Sequence, residues 1–211
     1  MGILDGKVAV ITGSTRGLGL AIAQAYVREG AAVVLAGRSE ASLNQALHTV
    51  KQQGARVSGL VTDVSDLTQV ETLAHHAVRE LGKIDIWVNN AGISAAYGPT
   101  LSLDPPQFER VLRTNIFGEY YGSVVALRYF LAHNKAGKLI NLMGRGDKEP
   151  VPYQNAYASS KAWVRNFTLA LAREYAKTGI GIFAFNPGLV DTDLLRKNRC
   201  HRRIREKGPT A

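Results

Sequence analysis

Tyr157 and Lys161 stand four residues apart at the end of the stretch Asn141 to Lys161, NLMGRGDKEPVPYQNAYASSK. On a helix that spacing puts a phenol and an ammonium on one face, one turn apart. A cation so placed favours the phenolate, which is the chemistry of a proton donor and acceptor brought below the ordinary tyrosine range of about pH 10. Spacing alone does not separate such a pair from two residues on a solvated helix face. The rest of the chain has to build a site around them.

A second constellation lies near the N-terminus, in Thr12-Gly13-Ser14-Thr15-Arg16-Gly17-Leu18-Gly19. Gly13 permits a tight turn off a strand, Gly17 lets backbone approach a pyrophosphate, and Gly19 lets the following helix pack closely. Free N–H groups at the start of that helix attract phosphate. The spacing G-x-x-x-G-x-G departs from the commoner G-x-G-x-x-G. A glycine turn of this kind can also be purely structural.

The elements that must position these groups alternate. Lys7 to Thr12 (KVAVIT) is a short apolar run with β-branched residues, the pattern of a strand buried on both faces. Further strands are expected at about 32–36, 56–61, 84–88, 138–143 and 180–185, and helices at about 40–53, 66–81, 104–132 and 156–177, besides the one opened by the glycine turn. Ser39-Glu40 and Asp66-Leu67-Thr68 are N-terminal helix signals, and Pro105-Pro106 belongs in a first turn. Such alternation predicts right-handed crossovers and an α/β Rossmann-type doubly wound parallel sheet of about six strands, order 3-2-1-4-5-6, with helices on both faces. One domain over 1–195 and a basic C-terminal tail over 196–211 follow from this reading.

The unusual residues fall at the carboxyl ends of these strands: the glycine turn, Gly37-Arg38, Asp63, Asn89-Asn90-Ala91-Gly92, Gly144 and Asn186-Pro187-Gly188. Ligands of open parallel sheets bind outside that edge, where strand order reverses. After the second strand a carboxylate would hydrogen-bond the ribose 2′-OH of NAD, but the chain has Ala36-Gly37-Arg38. Arg38, with Arg16, offers guanidinium forks to a 2′-phosphate and favours NADP(H); the alternative is two solvated arginines.

Thr12-Gly13-x-x-x-Gly17-x-Gly19, Asn89-Asn90-Ala91-Gly92, Asn115, Tyr157-x-x-x-Lys161 and Pro187-Gly188, in this order, resemble the short-chain dehydrogenase/reductase superfamily over about residues 5 to 193. The resemblance implies that Tyr157 exchanges a proton with the substrate oxygen. Lys161 would lower the Tyr157 pKa and hold the nicotinamide ribose, and Asn115 would anchor a water chain behind Lys161. Asp63 and Val64 would bracket the adenine, Asn90, Ala91 and Gly92 would line the cofactor, and Thr192, beyond Pro187-Gly188, would hold the carboxamide.

Two departures from the family pattern stand out. The family places a Ser thirteen residues before the Tyr, and here that position is Gly144. Ser94 and Arg145 are the nearest replacement donors. Loss of one donor to a reacting oxygen costs about 10²–10³ in rate, so a slow enzyme fits. The family also continues past Thr192-Asp193 through covering helices and a seventh strand, whereas this chain passes into RKNRCHRRIREK at 196–207. A short lid and an exposed sheet edge are therefore expected. A homo-oligomer would form through the long helices near 104–132 and 156–177. Trp163 and Phe167 belong either to that interface or to the core, and core is expected for at least one.

Composition bounds the remaining classes. The chain has 211 residues, 45% hydrophobic and 20% charged, enough for one sizeable core. No run approaches a membrane span, no secretory leader is evident, and a single cysteine, Cys200, leaves no internal disulfide or cysteine metal cluster, so a cytoplasmic protein without a metal is expected. Of the net charge of +9, residues 196–207 hold seven Lys or Arg against one Glu, a surplus of six that leaves +3 elsewhere. A nucleic-acid module using that tail is the weakest reading. The leading one is an NADP(H)-dependent oxidoreductase acting on a carbonyl or alcohol. The alternative is a catalytically impaired NADP(H)-binding relative that serves as a sensor or interaction partner.

Overall fold

The computed structural model describes residues 2–54, 56–95, 97–133 and 136–192. Six parallel strands run in the order β3-β2-β1-β4-β5-β6: β1 (Val8–Thr12), β2 (Ala32–Gly37), β3 (Val57–Val61), β4 (Ile86–Asn89), β5 (Lys138–Leu142) and β6 (Gly181–Phe185). This is the predicted doubly wound sheet, and its reversal point lies between β1 and β4. All five residues of β1 are buried. Val8 and Val10 pack on one face, with α3 (Leu67–Leu81) and α5 (Gly118–Ala132), while Ala9 and Ile11 pack on the other, with α1 (Gly17–Arg28) and α2 (Glu40–Lys51). Fully burying each such Val or Ile contributes about 1.5–3 kcal/mol, which fixes the register and with it the loop ends.

The expected caps are in place. Ser39 accepts from the Ser42 amide, and Asp66 accepts from Thr68 and Gln69. The helix expected as one piece over 104–132 is interrupted: α4 (Pro105–Leu112) passes into a π turn over Arg113–Phe117 before α5 begins. An extra residue in a helix turn re-aims the side chains around it, and such turns are frequent at functional sites. Here the turn carries Asn115.

α6 (Asn155–Glu174) brings Tyr157 and Lys161 to the same edge. Among the described residues β6 pairs only with β5, and Phe183 and Phe185 on its α1/α2 side are 50% and 51% exposed. Neither Trp163 nor Phe167 is core. They stack on each other at 4.6 Å, both half-buried, because α6 turns this face away from the sheet. The basic tail 196–211, Cys200 and Asp193 lie outside the described residues.

Candidate active site

A crevice of about 780 Å³ opens at the carboxyl edge of the sheet. At one end lies the glycine turn. Gly13 has φ +63°, and a Cβ there would sit 2.7 Å from Ala91 Cα; Gly19 is closed by Asn90 and the Gly13 carbonyl. The Asn90 amide donates to the Thr12 and Gly13 carbonyls at 2.9 and 3.0 Å, tying the turn to the end of β4. Arg16 precedes α1 without capping it through its side chain, and the first turn of α1 holds no acidic residue. The amides at that helix start are thus left for an anion, which is the fit a pyrophosphate needs.

Of the predicted nucleotide residues, Gly13, Thr15, Arg16, Gly17, Leu18, Gly19, Arg38, Asp63, Val64, Asn90, Ala91, Gly92, Pro187, Gly188 and Thr192 all line this crevice. Ser14 does not. It is fully buried, donating to the Ile11 carbonyl at 2.7 Å and accepting from the Ala36 amide at 3.0 Å, so it clamps β1 to β2 and its hydroxyl is spent. Thr192 stands against Gly17, its methyl 3.4 Å from where a Cβ of residue 17 would be, which places it beside the glycine turn. The Asp63 carboxylate is held by the Ser65 amide and hydroxyl at 2.9 and 2.7 Å.

The other end is built from the interior outward. Asn89, Ser123, Asn141 and Thr168 form a buried hydrogen-bonded network: Asn89 donates to Asn141 at 3.0 Å, and Asn141 donates to Thr168 at 3.0 Å. This locks β4, β5, α5 and α6 together beneath the site. Above it, Asn115 clasps the Ile93 backbone, accepting from its N–H and donating to its carbonyl, both at 2.9 Å, and donates to Ser160 at 3.0 Å. The π turn therefore fixes the loop after β4 to α6.

Lys161 is only 3% exposed, and its Nζ donates to the Leu142 carbonyl at 2.7 Å. It lies 5.9 Å from the centre of the Tyr157 ring. The expected lowering of the Tyr157 pKa is not what this arrangement gives. Burial, and then the Asp147 carboxylate, push Tyr157 up to about 12. The charge bearing on Lys161 is instead Glu119, a buried carboxyl that sequence reasoning missed. The polar spacing Asn115, Glu119, Ser123 at i, i+4 and i+8 is only a partial signal, because the π turn over Arg113–Phe117 resets the helix phase between the first two.

Gly144 is the other determinant. A Cβ built there would collide with the Tyr157 hydroxyl and lie 3.3 Å from Cζ. The phenol thus occupies the space that a side chain at 144 would need. Ser94 lines the crevice, but its hydroxyl donates to the Ala95 carbonyl at 3.1 Å, and Arg145 lines it with an exposed side chain. Tyr97, whose ring meets Tyr153 at 5.8 Å, and Gln154 complete this end; neither was expected. Tyr153 holds φ +66°, a left-handed conformation rare for a tyrosine, just before α6.

A glycine turn at one end of the crevice and a Tyr–Lys pair at the other suit a dinucleotide laid across the strand-order reversal. Residues 7–203 match the family model described as short chain dehydrogenase. The chain belongs to the short-chain dehydrogenase family. This short-chain dehydrogenase is 34% identical over 188 residues to a diacetyl reductase [(S)-acetoin forming] of Staphylococcus epidermidis, covering 89% of the chain and 73% of that protein. The crystal structure of a single-residue variant of actinorhodin polyketide ketoreductase with NADPH superposes with a TM-score of 0.88 at 33% identity, covering 95% of this chain and 77% of that one. An NAD⁺-bound xylitol dehydrogenase superposes with a TM-score of 0.84 at 30% identity, covering 88% and 71%. The family is one of oxidoreductases, and these two relatives were captured with different nicotinamide cofactors. No helix among the described residues is long and apolar enough to cross a membrane.

Proposed function

We propose that this short-chain dehydrogenase is an NADP(H)-dependent oxidoreductase that interconverts a small carbonyl compound and its alcohol. The observation that carries the reading is the placement of Tyr157 and Lys161 on the wall of the crevice that begins at the Gly13–Gly19 turn. The turn and the start of α1 hold the pyrophosphate, Arg38 and Arg16 meet the 2′-phosphate, Asp63 and Val64 flank the adenine, and Thr192 with Pro187-Gly188 closes over the cofactor. The bound nicotinamide supplies or accepts the hydride. Tyr157 passes the proton to or from the substrate oxygen, Lys161 holds the nicotinamide ribose, and Asn115 keeps Lys161 and the loop after β4 in register through Ser160 and Ile93. Ile93, Ser94, Tyr97, Arg145 and Gln154 bound the space left for the substrate, at the end occupied by Tyr157.

The test is NADPH oxidation over a panel of aldehydes, ketones and quinones. Turnover of a member of the panel that is lost in Tyr157→Phe supports the reading. Turnover indifferent to that change defeats the assigned mechanism. Gly144 favours a second reading, in which the chain binds NADP(H) but no longer turns over substrate usefully and serves as a sensor or interaction partner. Tight NADPH binding without turnover, together with activity appearing in Gly144→Ser, would establish that alternative.

A further inference from the structure

Glu119 is the second residue of α5, just past the π turn, and only 2% of it is exposed. It shares Leu142 with Lys161, and its charge bears on that ammonium. Lys161 donates to the Leu142 carbonyl, while the Glu119 carboxylate takes a hydrogen bond from the Leu142 backbone. Among the described residues Glu119 Oε1 has no hydrogen-bond partner. Its neighbours Asn115 and Ser123 are neutral and hydrogen-bonded, Asn115 to Ile93 and Ser160 and Ser123 into the network beneath the site. A lone ionisable group among them is costly to bury, and it is tolerated where it meets an opposite charge.

We propose that Glu119 is a positioning residue of the proton-transfer site: as counter-ion of the buried Lys161 it fixes the ammonium at the Leu142 carbonyl and cancels its charge, so that Tyr157 and Lys161 keep their transferable proton to higher pH. The inference rests on the reading that these two residues form the proton-transfer site. Its sign follows from counting charge. On the alkaline side, once Glu119 has ionised while Lys161 is still protonated, the buried set is neutral, and releasing one more proton leaves a net negative charge in a dry site. With Gln at 119 the same release takes the set from +1 to zero, which is easier whether Tyr157 or Lys161 gives up the proton.

The titratable groups facing the pair are Tyr157, one turn earlier on α6, and Asp147, on the loop after β5, which bears on Tyr157. Asn89 from β4 and Asn115 from the π turn present only neutral groups. Burial pushes Glu119 up, to about 8, and Lys161 down, and each opposes the shift of the other.

Two measurements test it. In the pH dependence of kcat/KM for carbonyl reduction, Glu119→Gln should move the alkaline limb at least about one unit lower, with Glu119→Asp between the two. An unmoved limb with only a lower unfolding temperature would make Glu119 a packing residue and overturn the proposal. Independently of turnover, the full chain labelled with carboxyl-¹³C glutamate and free of cofactor should show one carboxyl, lost in Glu119→Gln or Glu119→Asp, that titrates well above the usual carboxylate range. That titration should move higher still in Lys161→Met, where the buried carboxyl loses its cation. Titration in the ordinary range, or no response to Lys161→Met, overturns the counter-ion role. A protein that reduces nothing on the panel refutes the proposed function and leaves this second measurement to judge Glu119.

Discussion

The Tyr157 hydroxyl fills the space beside Gly144 where a side chain would stand. Residue identity at 144 therefore sets the position of the phenol and, in the proposed reaction, the number of donors to the substrate oxygen. Gly144→Ala adds the steric demand without a donor, and Gly144→Ser adds both. Because the colliding atom is the tip of a tyrosine side chain, a modest rotation accommodates either. We expect kcat/KM of Gly144→Ser to exceed that of Gly144→Ala by roughly 10², the value of one donor at a reacting oxygen. Equal rates in steady-state assays of the two variants would show that the missing hydroxyl is not what limits this site.

Tyr157→Phe removes the proposed proton donor while keeping the ring that packs beside Gly144. The expected outcome is a loss of about 10²–10⁴ in kcat, with little change in NADPH affinity measured by intrinsic fluorescence. An equal loss in both would mean that the phenol serves binding rather than proton transfer.

The raised pKa of Tyr157 has burial as its larger cause and Asp147 as its second. A neighbouring negative charge opposes formation of the phenolate, so Asp147→Asn should lower the pH at which Tyr157 ionises. Ultraviolet difference titration of the cofactor-free protein reads this as a tyrosinate step that moves from about 12 to lower pH in Asp147→Asn and is absent in Tyr157→Phe. A step that stays in place would remove Asp147 from the electrostatics of the site.

The fold was legible because alternation of β-branched runs and amphipathic helices is local information, and so were Gly13, Gly17 and Gly19, whose spacing serves one backbone geometry. Tyr157, Lys161 and Asn115 were legible as a pattern. Their electrostatics were not, because the residue that answers Lys161 lies 42 positions away, the difference between 119 and 161, and sits in a helix whose phase is reset by a π turn that periodicity does not announce. Ser14 misled for the opposite reason. Inside the glycine motif it is grouped with the cofactor-binding residues, yet the chain turns its hydroxyl inward to Ile11 and Ala36.

Arg38 lies at the end of β2 on the crevice wall, and no acidic residue occupies 36–38. If it meets a 2′-phosphate, Arg38→Ala should weaken NADPH binding by about 10- to 100-fold, the scale of a charge-assisted fork. NADH binding should be nearly unaffected, and the NADPH affinity of the wild type should fall with salt more steeply than its NADH affinity. Parallel fluorescence titrations decide the matter. Equal affinity for both cofactors in the wild type would strip Arg38 and Arg16 of the role given to them.

His76 provides a stability prediction away from the site. It is buried on α3, its Nε2 2.8 Å from the Ser58 hydroxyl and its Nδ1 2.9 Å from Arg79. Arg79 can only donate, so Nδ1 accepts and Nε2 carries the proton toward Ser58, which defines the neutral tautomer. Burial lowers the His76 pKa, opposed by Glu80 and assisted by Arg79. The unfolded chain then binds a proton at this residue below about pH 6.5 while the folded chain does not, so folding loses stability as pH falls through that range toward the lower folded pKa. His76→Gln retains a hydrogen-bonding side chain but cannot titrate. Urea midpoints compared at about pH 7.5 and pH 5 should fall less in His76→Gln than in the wild type. An identical fall in both would mean that His76 charges freely in the folded protein.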